Sequence, residues 1–491
     1  MAPSCRRSTL PLLSVLSVAL LAACNDPVGE DTPYHVVAVT TGPFAATAGW
    51  AVAETLVAEL RDAEGKPVAG EPVHWSAGQG GRVAVVSPSP DDSTAGTTDA
   101  KGRSYAVWTL GLPEGTQVAR AAAGPADTPA EFEATATVLH VAQITAGEGY
   151  ACAALLDQRA VCWGGTSFGS LGISDSVSQF AAVPTYVKGL DPVKQIVATL
   201  NGTTCAIVQA GGVWCWGRSV SGVAGPSASQ PYQPTPVQVP GIGDANSLTI
   251  SNIWFAHACA VSQSSGVLCW GANHRGQLGT GDSTASAVPR AVVGGVNFRS
   301  VSVGGDRSCA LDPAGEVWCW GDRSHGEFRP LPEAVYPLPV RPVPGHQYAS
   351  IATGALATCG IQFGGVASCF GEDFGSFGSF PVTELKPGDP PAVVPVAEAL
   401  ATIVSDGYNG TYGRSRYGLG YVWGEPGCCD VWIGPPIMIT PSIRIEEIVA
   451  GGSTYCVKSE TGGAYCGRTN WWVPWWRERE TLAGIPDTVA S

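Results

Sequence analysis

Basic side chains are scarce in this chain: 27 Lys and Arg stand against 41 Asp and Glu in 491 residues, a formal net charge of −14 with only 14% of residues charged. Nucleic-acid binding rests on a basic footprint that neutralises phosphates, so nucleic acid is excluded as the expected partner. Long apolar runs are missing as well. Beyond Leu12–Ala23 no segment approaches the ~18 residues that cross a bilayer, so no membrane-spanning helix is expected. Nowhere does a 3.6-residue apolar period persist for three turns, which removes the usual sign of amphipathic helices. The seven His (His35, His74, His140, His257, His274, His325, His346) lack the i, i+4 or His-x-His spacing of paired metal ligands. His274 and His325 fall at similar places after successive units; both are read as polar loop residues, with a metal or acid–base role as the alternative. What is abundant is Gly and Pro, 63 and 38 residues, natural for a loop-rich all-β chain.

Cysteine carries the strongest pattern. Six pairs share a separation of ten: Cys152 and Cys162, Cys205 and Cys215, Cys259 and Cys269, Cys309 and Cys319, Cys359 and Cys369, Cys456 and Cys466. Four second members read Cys-Trp-Gly, as in Cys215-Trp216-Gly217; the others read Cys369-Phe370-Gly371 and Cys466-Gly467. A degenerate copy keeps Val422-Trp423-Gly424, with Tyr412 and Val422 at the Cys positions. The seven units recur every 44 to 54 residues, the mark of a repeat architecture.

Within a unit, short Val-, Ile- and aromatic-rich runs alternate with Gly, Ser and Asn, a strand-and-hairpin pattern. The two Cys flank a tight turn such as Ser264-Ser265-Gly266 and therefore lie on adjacent antiparallel strands, roughly 4.5–5.5 Å apart at Cα, where a disulfide fits. Closing so short a loop stabilises by roughly 2.5–3 kcal/mol in the chain-entropy model. Zinc ligands come as C-x2-4-C with four donors converging, which this wide spacing does not offer. The sixth unit lacks a staple and is rich in Gly (Gly407, Gly410, Gly413, Gly418, Gly420), so it is expected to be the weakest, and Tyr412→Cys/Val422→Cys to strengthen it.

Asn273-His274-Arg275-Gly276-Gln277-Leu278-Gly279-Thr280-Gly281-Asp282, following Cys269-Trp270-Gly271, resembles the signature of the regulator of chromosome condensation repeats. Phe168-Gly169-Ser170-Leu171-Gly172 keeps the ending of that signature, Gly326-Glu327-Phe328 only a trace. The resemblance implies a seven-bladed β-propeller over residues 140–491. Ring closure is expected from the C-terminus: the first unit begins at Val141-Ala142-Gln143-Ile144 without the preceding Val/Gly/Ile segment that other units have, and Thr481-Leu482-Ala483-Gly484-Ile485 supplies it.

Residues 1–24 read as an export signal, with Arg6 and Arg7 before the apolar run. Leu21-Ala22-Ala23-Cys24 resembles the bacterial lipoprotein box, which implies lipidation of Cys24, attachment to the membrane through lipid alone, and a place on the cell envelope, at the outer membrane or cell surface. Residues 25–33 are a polar linker. Residues 34–138 lack Cys and show alternating strands (35–39, 56–60, 72–75, 105–110, 117–119, 132–136), as in an Ig-like β-sandwich. Leu60-Arg61-Asp62-Ala63-Glu64-Gly65-Lys66-Pro67-Val68 and Thr97-Thr98-Asp99-Ala100-Lys101-Gly102 resemble bacterial Ig-like domains of the invasin type, which implies a spacer or adhesive module.

Two clusters are left. Trp471, Trp472, Trp475 and Trp476 either cap the closing blade or form an exposed aromatic platform for a sugar or protein. Cys428 and Cys429 either close a vicinal bond or pair with another molecule. Gly165-Thr166-Ser167-Phe168-Gly169 matches the G-x-S-x-G string of serine hydrolases, but without the strand-to-helix elbow that motif needs. With no constellation of nucleophile, base and orienter, the chain is expected to be no enzyme and to need no cofactor or metal. Its face loops are expected to bind a protein or glycan ligand. The resemblance also implies two alternatives: an inhibitor like a secreted bacterial β-lactamase inhibitor on this fold, and guanine-nucleotide exchange, which would require a cytosolic or nuclear GTPase.

Overall fold

The computed structural model describes residues 34–468 apart from 48–50, 87–95, 112–113, 125–127, 167, 191, 220, 225–230, 253–255, 323–334, 372–389, 397, 407–408, 426–432, 440–443, 453 and 461–462. Cys24, Cys428, Cys429, His325, the Trp471, Trp472, Trp475 and Trp476 cluster and residues 481–485 lie outside the described residues.

The Cys-free front of the chain forms two four-stranded sheets. One orders β1 (His35–Ala38), β3 (Leu56–Arg61), β6 (Arg103–Thr109) and β5 (Arg82–Val86); the other orders β2 (Phe44–Thr47), β8 (Ala130–Thr137), β7 (Gly115–Ala122) and β4 (His74–Ala77). Strand β8 alternates buried and exposed residues without a break, the period-2 pattern of a sheet covered on one face. Leu56, Leu60 and Trp108 from the first sheet and Ala119, Phe132 and Ala134 from the second share one core, so the module is a β-sandwich. Strands β2 and β5 were absent from the sequence reading. Phe44–Thr47 has little β-branched character, and its place comes from parallel pairing with β8.

Residues 141–468 form seven further sheets, six of four strands and a seventh of three among the described residues, each an antiparallel meander in chain order. The inner strands, from Val141–Gly147 in the first blade to Ile445–Gly451 in the seventh, pack in series, and the last packs against the first. The sheets thus close a propeller-like ring. Leu139, Val141, Ile144 and Ala146 share a core with Cys456, Ala464 and Cys466 across the closing seam. The first blade draws all four strands from residues 141–186, outer strand Gln179–Tyr186 included, so it has no vacancy for a C-terminal strand. The Val/Gly/Ile segments belong instead to the end of the preceding sheet, as Val237 and Gln238 do in Tyr232–Gln238.

All six cysteine pairs are disulfides between the second and third strands of their blades. Cys152 is bonded to Cys162, Cys205 to Cys215 and Cys259 to Cys269 in the first three blades. Cys309 is bonded to Cys319, Cys359 to Cys369 and Cys456 to Cys466 in the fourth, fifth and seventh. Each pair is directly opposed in register, as expected from the hairpin between them. Their Cα atoms are 4.0–4.1 Å apart, closer than the bare ladder spacing because the bridge draws the strands together. Tyr412 faces Val422 at the same register in the sixth blade. Proline marks the outer strands: Pro184, Pro234, Pro289, Pro337 and Pro436 each remove a backbone donor from an otherwise open edge, which discourages pairing with another chain.

Candidate functional site

The signature loop follows the third strand of its blade and lands on the next blade. In the third blade Asn273 anchors it: its amide donates to the Asp282 side chain at 3.1 Å and to the Thr284 carbonyl at 3.0 Å, and its oxygen accepts from Leu278 N at 2.9 Å. The Arg290 guanidinium, 2.8 Å from Asp282, holds that carboxyl down at about 2, so the loop is braced by an ion pair at neutral pH.

The loop tip then accepts from the following blade. Trp320 Nε1 donates to the Gln277 carbonyl at 2.9 Å, as does Ser308 Oγ at 2.9 Å. Between the first and second blades, Trp216 Nε1 and Thr204 Oγ1 donate to the Ser170 carbonyl at 2.8 and 2.9 Å; between the second and third, Trp270 Nε1 donates to the Val223 carbonyl at 3.0 Å. These indoles are fully buried, and a buried donor without a partner would cost about 1–3 kcal/mol, so the carbonyls define where each loop sits. Gly172 and Gly279 explain the signature's Leu-Gly. Both have φ of +69°, and a Cβ there would lie 2.8 and 2.7 Å from the next Trp Nε1. Among the described residues Trp163 Nε1 and Trp423 Nε1 find no acceptor. The connections at the corresponding places, residues 372–389 and those after 468, lie outside the described part.

The most concentrated polar chemistry stands where the third blade's loop meets the fourth blade. Asp306, in the turn after the inner strand Ser300–Gly304, accepts from Gln277 Nε2 at 3.0 Å and lies 3.3 Å from His274 Nε2. Burial pushes the Asp306 carboxyl up and the nearby Asp322 charge adds to this, while His274 and Arg275 oppose it. Gln277 is locked by accepting from Arg275 N at 2.8 Å. His274 and Arg275 are exposed at the tip, a local basic point on an acidic chain. Beneath them His257 Nε2 lies 2.8 Å from Ser308 Oγ.

That pair is not a nucleophilic dyad. The Ser308 proton goes to the Gln277 carbonyl, so the His257 Nε2–H must donate to Ser308 and cannot take its proton. Both residues are fully buried, and burial, followed by the charge of His274, holds the imidazole down at about 3. Ser167 of the G-x-S-x-G string lies outside the described residues. Its neighbours Thr166 and Ser170 share a hydroxyl hydrogen bond of 3.0 Å in a strand-to-strand loop, with no helix following.

Turns from separate blades also converge at the axis on this face. Asn252 of the third blade accepts from Leu200 N at 3.2 Å and donates to the Asp406 carbonyl of the sixth at 3.3 Å; Gly452 N donates to the same carbonyl at 3.1 Å. Among the described residues no group of three His, Cys, Asp or Glu is placed to hold a metal. Sequence reasoning singled out His274 but missed Asp306 and Asp322. Asp306 belongs to another blade, and only the packing of the ring carries it to His274; Asp322 directly follows Cys319-Trp320-Gly321, and its charge acts on Asp306.

The propeller-like fold carries repeats of the regulator of chromosome condensation type. Residues 264–311 and 298–327 match the regulator of chromosome condensation (RCC1) repeat. The ultraviolet-B receptor UVR8 of Arabidopsis thaliana is 30% identical over 191 residues, 37% of this chain and 42% of that protein, so the match spans less than half of the relative's length. Among solved structures, human WBSCR16 superposes with a TM-score of 0.57 at 15% identity, over 69% of this chain and 93% of that one. Yeast RCC1 (Prp20), solved bound to Kap60, superposes with a TM-score of 0.53 at 18% identity, over 64% and 78%. At these identities the structural likeness shows the fold alone.

Proposed function

We propose that this chain is an exported, lipid-anchored scaffold of the bacterial envelope that holds a protein or glycan ligand on one face of its ring. The observation that carries the reading is the asymmetry of its connections. Those from third to fourth strands span 167–178, 219–231, 272–285, 323–334, 372–391 and, shorter, 426–432, whereas the second-to-third hairpins are tight, as at 156–159 and 263–265, and the links between blades are brief, as at 187–192 and 292–299. In a meander the third-to-fourth connections fall on one face and the hairpins and links between blades on the other, so one face carries the longest and most unequal loops on a stiff support. Six buried disulfides favour an oxidising compartment, in keeping with the export signal and with Cys24 as a lipid attachment point. The same compartment disfavours guanine-nucleotide exchange on a cytosolic GTPase. In this reading the front sandwich is a bacterial Ig-like spacer that lifts the ring from the membrane.

Affinity capture from envelope and culture fractions tests the long-loop face. A specific partner should be retained by the wild type and by Leu156→Ser on the hairpin face, and lost with His274→Ala/Arg275→Glu. Equal capture by all three proteins overturns the assignment. For the anchor, Cys24→Ser should leave the chain uncleaved or soluble; normal processing and unchanged partition into detergent would remove lipid from the account.

A further inference from the structure

The seven inner strands share one register, and at the position opposite the second residue after the first Cys (Tyr412 in the sixth blade) they carry Gln143, Gln195, Ser247, Ser300, Ser350, Thr402 and Glu447. Neighbouring inner strands belong to different sheets and share no ladder, so side chains tie them. Gln143 Oε1 accepts from Ile196 N at 2.9 Å, and Gln195 Oε1 accepts from Leu248 N at 3.0 Å. At the seam between the seventh and first blades Glu447 Oε2 makes the same bond to Ile144 N at 3.0 Å. A carboxyl group therefore stands where two other seams use an amide, and it stands where strands some 300 positions apart in sequence must be held without the chain between them.

The surroundings offer this carboxylate little compensation. The first blade's inner strand, Val141–Gly147, brings no charge. In the seventh blade Lys458 is engaged elsewhere: its Nζ is 2.8 Å from Glu446 Oε2 and donates to the Ala142 carbonyl at 3.2 Å. Strands Leu400–Ser405 and Asn409–Ser415 of the sixth blade carry one charge between them, Arg414, opposite Thr402 in register.

We propose that the junction of the seventh and first blades is a proton-responsive seam, closed while Glu447 carries its proton and opening locally when the ionised carboxylate is drawn toward water. Burial pushes the Glu447 carboxyl up from 4.5 to about 7, against the opposing bond from Ile144 and the charge of Lys458. The closed seam keeps a proton that the open one releases, so opening becomes easier as pH rises through this window and levels off above it. The linkage gives about tenfold per pH unit, roughly 300-fold in all.

Amide hydrogen exchange of the full chain between pH 5 and 8, corrected for intrinsic rates, tests this. Exchange in 141–147 and 445–451 should accelerate by about tenfold per unit up to pH ~7 in the wild type and stay flat in Glu447→Gln, while 193–198, behind the Gln143 tie, stays flat in both. A second variant guards against misfolding of the first. Glu446→Gln removes a neighbouring negative charge and frees Lys458, so it should keep the response with its midpoint at lower pH. A flat wild type, an equal slope in Glu447→Gln, a parallel rise in 193–198, or loss of the response in Glu446→Gln each overturns the proposal.

Discussion

Tyr412 and Tyr455 stack across the seam between the sixth and seventh blades, ring centroids 6.1 Å apart and planes 28° from parallel. At three earlier seams the residue at the Tyr455 position is a Ser or Thr whose hydroxyl touches a disulfide of the preceding blade: Ser308 on Cys259, Thr358 on Cys309, Thr411 on Cys359, at 3.7–3.8 Å. The blade without a staple has thus exchanged a covalent bridge and a hydroxyl contact for an aromatic pair. Tyr412 is fully buried with Val422, Ile445, Ile448 and Val457.

This alters the balance drawn from sequence for Tyr412→Cys/Val422→Cys. The restored bridge is worth roughly 2.5–3 kcal/mol, but truncating a buried aromatic costs about 3–5 kcal/mol. The double variant should form its disulfide and melt no higher than wild type; a raised melting temperature with the bridge confirmed by non-reducing peptide mapping would contradict the packing argument.

Tyr412→Phe should be stabilising. Among the described residues the Tyr412 hydroxyl has no hydrogen-bond partner, and burial raises its pKa well above 10, so it stays protonated. Removing an unsatisfied buried hydroxyl while keeping the ring should gain about 1 kcal/mol, read by denaturant unfolding.

Gly279→Ala should be costly although it adds one methyl group. It combines a left-handed backbone with a Cβ 2.7 Å from Trp320 Nε1, and about 2–4 kcal/mol of destabilisation is expected. Unfolding followed by tryptophan fluorescence checks it, with Gly266→Ala, also left-handed but in open space, as the control for backbone strain alone.

Replacing Cys259 and Cys269 by Ala should cost about 2–4 kcal/mol. Because both are fully buried, the native bridges should also resist mild reductant until the ring opens. Thiol labelling of the folded chain after such treatment should find none of the six pairs reduced.

His257 sets an acid limit. Its folded pKa of about 3 lies below the ordinary 6.5, so the unfolded chain binds a proton that the folded chain excludes. Its contribution is intact above pH ~6.5 and declines toward pH 3 at about 1.4 kcal/mol per unit. His257→Gln, which keeps a donor for Ser308, should flatten stability over that range in paired acid titrations.

The repeat was legible because a disulfide between opposed strands demands a constant separation, and the ten-residue spacing survives every change of loop around it. The buried Trp of each Cys-Trp-Gly was legible for the same reason. Asp306 was not: its neighbours His274 and Gln277 are some 30 residues away, in another blade, with no periodicity linking them. Glu447 was equally silent, because Ile445-Glu446-Glu447-Ile448 reads as a solvated strand end until Ile144 is brought against it.

By itself, then, the sequence determined the all-β class, the seven units, the six staples and the position of the missing one, since these follow from local spacing and strand chemistry. Only the tertiary structure decided what each unit does to its neighbour. It set which carbonyl receives each buried indole, which carboxylates lose their water, and which strand closes the ring, because those depend on desolvation and contact between segments that the chain keeps far apart.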